Sequence, residues 1–303
     1  MYSQIQKNRQ RSTILIIIFT GVLAAVGYVY GQLTQTGYAG LVFALVVSVG
    51  MTLLSWFAGD KIVLATSGAK EITSRDQNTY LWNLVENLSI TAGMPMPRLY
   101  VIEDQAMNAF ATGRDPKHGS IAVTTGIIAA LENEELEGVI AHELSHIKNE
   151  DIKVMMLAAV LVGAITILGD TFLRDSLFSS RRGRDEDSHS NGNLFAILGL
   201  AFIIISPLIG QLIQLAISRR REYLADASGA LLTRYPEGLA RALQKISRES
   251  QPVARASTAT AHLWISNPFG EKRSFFQNIQ NLFSTHPPIS DRIQKLRDMG
   301  DAR

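Results

Sequence analysis

Gly138-Val139-Ile140-Ala141-His142-Glu143-Leu144-Ser145-His146 is the stretch that decides how this chain reads. Its last five residues spell H-E-x-x-H, two histidines four apart with a glutamate beside the first. On an α-helix, positions i and i+4 share one face about one turn apart. Both imidazoles can then reach a single ion at roughly 2.0–2.1 Å, the usual zinc–nitrogen distance. Glu143 is placed to act as general base on a zinc-bound water.

The flanks predict the helix this geometry needs. Leu136, Val139, Ile140, Leu144 and Ile147 form one apolar stripe of helical period. Asn133 reads as the N-cap, and Glu134 and Glu135 suit the positive end of the helix dipole. The histidine face carries Glu135, Gly138 and Asn149, away from the stripe. Gly138, one turn before His142, is expected to leave room for a ligand or substrate. The bland alternative is a chance match, because this motif by itself carries a real false-positive risk.

The chain has no cysteine, which excludes disulfides and thiolate metal sites, so any zinc must be held by histidine and carboxylate. A net charge of +2 gives no sign of a nucleic-acid partner. Mean hydropathy of +0.11 is high for a soluble protein of this length and points to membrane spans.

Four uncharged apolar runs follow, at 14–30, 38–58, 154–169 and 194–217. The first, preceded by Lys7, Arg9 and Arg11, also fits a signal peptide. It lacks an A-x-A cleavage site, however, and the second run follows after a short turn at 31–37, so a transmembrane hairpin is the preferred reading. Pro207 in the fourth run is tolerated as a kink. Four spans place both termini and both soluble blocks on one side. Basic residues at 7–11, Lys61 and 219–221 flank the spans there, which the positive-inside rule makes cytoplasmic. Arg174, Arg181, Arg182 and Arg184, in the loop 174–193 on the opposite side, run against that orientation.

The expected organisation is a transmembrane hairpin (1–59), a first cytoplasmic catalytic part with a sheet and the H-E-x-x-H helix (60–151), a second hairpin (152–217), and a second catalytic part (218–303). Residues 70–92 read as a helix. Strands are expected at 98–103, 108–113 and 119–124, with the turn at 114–119 making a hairpin of the last two. The predicted fold is thus mostly α with a small β-sheet, zincin-like α+β, on four transmembrane helices.

Two histidines leave a catalytic zinc one protein ligand short, since three with an open fourth position are usual. Glu222, in Arg221-Glu222-Tyr223-Leu224-Ala225-Asp226, is the candidate. His146 lies about 12 Å above Val154 and Glu222 about 7.5 Å above Ile217 at helical rise. If the third and fourth spans are antiparallel neighbours, the two residues meet. Asp226, one turn on, can accept a hydrogen bond from a ligand histidine and fix its tautomer. The alternatives are an interfacial carboxylate paired with neighbouring arginines for Glu222, and a solvated helix face for Asp226.

With these motifs assembled, the chain resembles the M48 family of membrane zinc metalloproteases, in its HtpX-type bacterial branch. The likeness rests on N-A-F-A-T-G at 108–113, H-E-L-S-H at 142–146, R-E-Y-L-A-D at 221–226 and T-H-P-P-I-S-D-R at 285–292. It implies one zinc per chain held by His142, His146 and Glu222, with Glu143 as the catalytic base and Asp226 as a supporting carboxylate. It also implies that Asn108 lies in an edge strand that pairs with substrate backbone. His286 and Arg292 are implied as groups that bind substrate or stabilise the oxyanion. The implied substrates are misfolded or damaged membrane proteins, at the cytoplasmic face of a bacterial inner membrane.

Two rivals remain. An intramembrane-cleaving metalloprotease would bury the motif inside an apolar span. Here Glu132, Glu134, Glu135, Glu137, Lys148, Glu150 and Asp151 surround it. A non-catalytic scaffold or transporter with a structural zinc would close the site with a fourth protein ligand.

Overall fold

The computed structural model describes residues 2–33, 35–179, 219–248, 251–257, 259–270 and 287–301. The chain begins with two long helices, α1 (Tyr2–Leu33) and α2 (Ala39–Thr66), joined by a tight turn. Both are long and apolar enough to cross a membrane, over Gln6–Val29 and Ala39–Thr66. One face of α2 leaves Val42, Phe43, Val46, Val49, Leu53 and Phe57 exposed. A soluble surface seldom carries so continuous an apolar stripe, whereas lipid suits it.

Next come β1 (Ala69–Ile72), α3 (Thr79–Ala92), β2 (Arg98–Ile102), β3 (Ala109–Gly113) and β4 (Gly119–Thr124). The sheet order is β1-β2-β4-β3, with β2 and β4 parallel and both outer pairings antiparallel. The expected hairpin is β3–β4, in a register that faces Phe110 with Ala122 and Gly113 with Gly119. The stretch read as one helix over 70–92 is instead divided. Its first residues pair as β1 along β2, and the helix starts only at Thr79, where the Asn78 side chain accepts the Leu81 N–H at 3.0 Å. The run Ser74-Arg75-Asp76-Gln77-Asn78 holds turn and cap formers, which compete with helix for backbone hydrogen bonds.

Helix α4 (Thr125–Ala130) leads to α5 (Asn133–Lys148), which carries H-E-x-x-H. The cap is Glu132, not Asn133. The Glu132 carbonyl accepts from the N–H groups of Glu135 and Leu136, and the Glu135 carboxylate accepts the Glu132 N–H at 2.8 Å. Asn133 stands inside the helix and accepts from the Tyr80 hydroxyl at 3.0 Å.

After α5 come α6 (Asp151–Ser179), α7 (Arg219–Thr233), α8 (Pro236–Arg248) and α9 (Ile289–Asp301). The expected third span, 154–169, falls within α6, whose first residues are buried against α1 and α2. The fourth, 194–217, lies outside the described residues, as does most of the 174–193 loop.

The apolar stripe of α5 joins Leu99, Ile121 and Val123 of the sheet, and Leu239, Leu243 and Ile246 of α8, in one buried cluster. Gly138 was expected to leave room for a ligand, but α8 takes that space. A Cβ added there would lie 2.7 Å from the Leu239 backbone nitrogen and 2.9 Å from its Cα. Backbone cannot yield as a flexible side chain can, so Gly138→Ala is expected to destabilise the protein by about 1–3 kcal/mol, the usual cost of overpacking. Thermal unfolding in detergent reads this directly. An unchanged melting temperature would contradict so close a helix contact.

Candidate metal centre

His142, Glu143 and His146 project from α5, and all three are buried. Facing them, α7 brings Glu222 and, one turn on, Asp226. The approach is close because Gly229 has no side chain; a Cβ there would meet the His142 backbone nitrogen at 3.0 Å. The two imidazole Nε2 atoms are 3.2 Å apart. Glu222 Oε1 lies 3.5 Å from His146 Nε2, and its Oε2 lies 3.9 Å from His142 Nε2.

Ligand atoms about 2.05 Å from a tetrahedral ion are separated by roughly 3.3 Å, so the donor set and its spacing fit zinc. Among the described residues, His142, His146 and Glu222 form a buried group whose donor atoms all lie within 4.8 Å of one another.

Each histidine is held from behind. His142 Nδ1 is 2.9 Å from Asp226 Oδ1, and His146 Nδ1 is 3.1 Å from Asp151 Oδ2. A carboxylate at Nδ1 keeps a proton there and turns Nε2 toward a metal. Asp151 escaped the sequence reading. It sits five residues past His146, and only the turn between α5 and α6, where Glu150 takes φ +56°, folds it back onto the ring.

The electrostatics follow from burial. In the ion-free site, burial pushes the Glu143 carboxyl up to about 7, with Glu222 adding to the rise. His146, Arg292 and the Ala111 backbone N–H, which donates to this carboxylate, pull the other way. Burial holds His142 below the usual imidazole value despite Asp226. Burial also disfavours the charge on His146, yet the Asp151 hydrogen bond and Glu222 outweigh it and lift His146 to about 9.

Arg292, from α9, is fully buried. Its Nε and Nη2 donate to the two Asp226 oxygens at 2.8 and 2.7 Å, a bidentate pair. Its Nη1 donates to the Ile265 carbonyl at 3.1 Å and lies 3.7 Å from Glu222 Oε2. Asp226→Ala leaves this guanidinium buried without its partner. A loss of about 3–5 kcal/mol of stability is expected, the usual result of breaking a buried pair. A melting temperature close to that of the unaltered protein would contradict this pairing.

Asn108 stands just ahead of β3, the edge strand, and is buried. Its side chain accepts from the Ala109 N–H at 3.1 Å and donates to the Ser266 carbonyl at 3.2 Å. The Ile265 N–H donates to the Ala109 carbonyl at 2.9 Å, so part of this edge is paired within the chain. Further along, Ala111 faces Glu143. His286 lies outside the described residues.

A helix bearing H-E-x-x-H, set beside a mixed sheet and faced by a carboxylate on a second helix, has the form of a metallopeptidase centre. Residues 75–300 match Peptidase family M48, and the chain belongs to that family. It is therefore a protease, and the metal site matches the zinc dependence general in the family. It is 46% identical over 300 residues to a "Protease HtpX homolog" of Dictyoglomus thermophilum, covering 99% of this chain and 95% of that protein. Another of the same description, from Tropheryma whipplei, is 44% identical and covers 99% of both chains. In fold the chain is similar to the crystal structure of S. mikatae Ste24p, at a TM-score of 0.50 and 18% identity, over 98% of this chain and 67% of that one.

Proposed function

We propose that the protein is a membrane-anchored zinc endopeptidase that cleaves misfolded or damaged membrane proteins. The observation that carries the reading is the convergence of His142, His146 and Glu222, with Glu143 beside them. A zinc ion held by those three would supply Lewis acidity, lowering the pKa of a water and polarising the scissile carbonyl. Glu143 takes the proton of the attacking water and passes it to the leaving amine. Arg292, fixed by Asp226 beside the ligands, is suited to stabilise the oxyanion or bind substrate, and His286 is proposed to share that task. The β3 edge beyond Asn108 is suited to pair with an extended substrate backbone, which reads main chain rather than sequence and favours broad specificity.

The membrane hairpins proposed at 1–59 and 152–217 would bracket two catalytic parts, 60–151 and 218–303, on the cytoplasmic side of a bacterial inner membrane. Support comes from the apolar helices α1 and α2 and from the basic residues beside them. The test is cleavage of casein by the purified protein in detergent. Activity lost to a chelator and restored by zinc is expected, and chelator-insensitive cleavage, or none with zinc bound, overturns the proposal.

A further inference from the structure

Asn8 is a buried polar residue near the start of the first candidate membrane span, only 1% exposed. An amide in such a place calls for a partner, because an unmet polar group away from water costs free energy. Its partners belong to the metal centre. Asn8 Nδ2 donates to the Asn149 carbonyl at 3.0 Å and to Asp151 Oδ1 at 2.7 Å. Its Oδ1 accepts from Arg221 Nη1 at 3.5 Å, and Arg221 adjoins Glu222 in sequence. One side chain on α1 therefore touches the turn behind His146, the carboxylate that holds His146, and the helix that carries Glu222.

The two Asp151 oxygens divide the work. Oδ2 faces His146 Nδ1, while Oδ1 is held by Asn8 and lies 3.6 Å from Arg221 Nη1. Without Asn8, the carboxylate keeps only the longer Arg221 contact on that oxygen and holds the imidazole less firmly in one orientation. The delivery of Asn8 depends on helix packing, because Leu15, Phe19 and Leu23 of α1 seat against Val154, Ala158 and Leu161 of α6. Helix α6 starts at Asp151 itself.

Resting on the zinc reading above, we propose that Asn8 is a positioning residue for the metal centre. Through Asp151 it fixes His146, so that docking of the N-terminal membrane helix is coupled to metal affinity. The helix is then a structural part of the catalytic unit as well as an anchor.

The test is zinc affinity of the purified full-length protein in detergent, measured by competition with a chromophoric chelator. Asn8→Ala is expected to weaken zinc binding about tenfold, the lower end of what loss of an outer partner costs. Asn8→Ser, polar but too short to reach Asp151, is expected to do the same, and it carries the test alone should the alanine variant not accumulate. In an Asp151→Ala background, Asn8→Ala should weaken binding no further, because its route of action is already gone. Ser48→Ala serves as the packing control: it removes a part-buried hydrogen bond between α2 and Thr20 of α1, distant from Asp151, and should leave zinc affinity unchanged. Unchanged affinity in both Asn8 variants overturns the proposal. So does an Asn8 effect of equal size with and without Asp151, or an equal loss in Ser48→Ala. An unaltered protein that binds no zinc overturns the functional reading, and this inference with it.

Discussion

Glu143→Gln is expected to abolish peptide cleavage while leaving bound zinc in place. The glutamine has the same shape and keeps a carbonyl oxygen to accept from Ala111, but it cannot take a proton from water. General acid–base catalysis contributes about 10²–10⁴-fold, and kcat should fall by at least that range. His142, His146 and Glu222 are untouched, so zinc content by elemental analysis should equal that of the unaltered protein. The variant has a second signature. Burial raises the Glu143 carboxyl from 4.5 to about 7 in the ion-free site, so the folded protein prefers the neutral acid. That preference costs nothing below pH about 4.5, grows as pH rises, and is complete above about 7. A permanently neutral glutamine escapes it. The metal-free variant should therefore melt above the metal-free unaltered protein at pH 8, and level with it at pH 4. Retained proteolysis in this variant would remove Glu143 from the mechanism.

What the sequence disclosed was mostly what local pattern controls. The stripe from Leu136 to Ile147 and the placement of His142 and His146 on one turn follow from helical period alone. The β3–β4 hairpin was legible because Arg114-Asp115-Pro116-Lys117-His118 combines strong turn formers between two short apolar runs. Glu222 could be placed only by supposing that two spans return to the same membrane face, and the structure brings it within 3.5 Å of His146 Nε2.

The remainder was set by contacts that pattern does not encode. Ala69–Ile72 is short, with Lys70 and Glu71 exposed, and it becomes a strand because β2 offers it an edge. Gly138 looks like a space for ligand until α8 is known to fill it. Asp151 and Asn8 are ordinary polar residues in sequence. They matter because a two-residue turn and a docked helix bring them behind His146, and neither event has a periodic signature.

His142→Ala is expected to remove the metal while the fold remains. The substitution deletes one of the two nitrogen donors, leaving His146 and Glu222 to hold the ion. Loss of an outer partner alone costs about 10–100-fold in metal affinity, so loss of a direct ligand should exceed 100-fold. The fold should tolerate it because of how Asp226 is held. With the imidazole gone, both of its oxygens still accept from Arg292, at 2.8 and 2.7 Å, so no buried charge loses its last partner. That separates this variant from Asp226→Ala, where the guanidinium loses its bidentate partner and keeps only the Ile265 carbonyl and the more distant Glu222 oxygen. His142→Ala should therefore yield a protein that unfolds cooperatively, carries no zinc after dialysis, and does not cleave casein even with zinc added at the level that saturates the unaltered chain. Glu143→Gln should retain zinc under the same dialysis. The two variants together divide holding the ion from moving the proton. Zinc bound at unaltered affinity by His142→Ala would mean that the ion is held elsewhere, and the cluster of His142, His146 and Glu222 would lose its claim to be the catalytic centre.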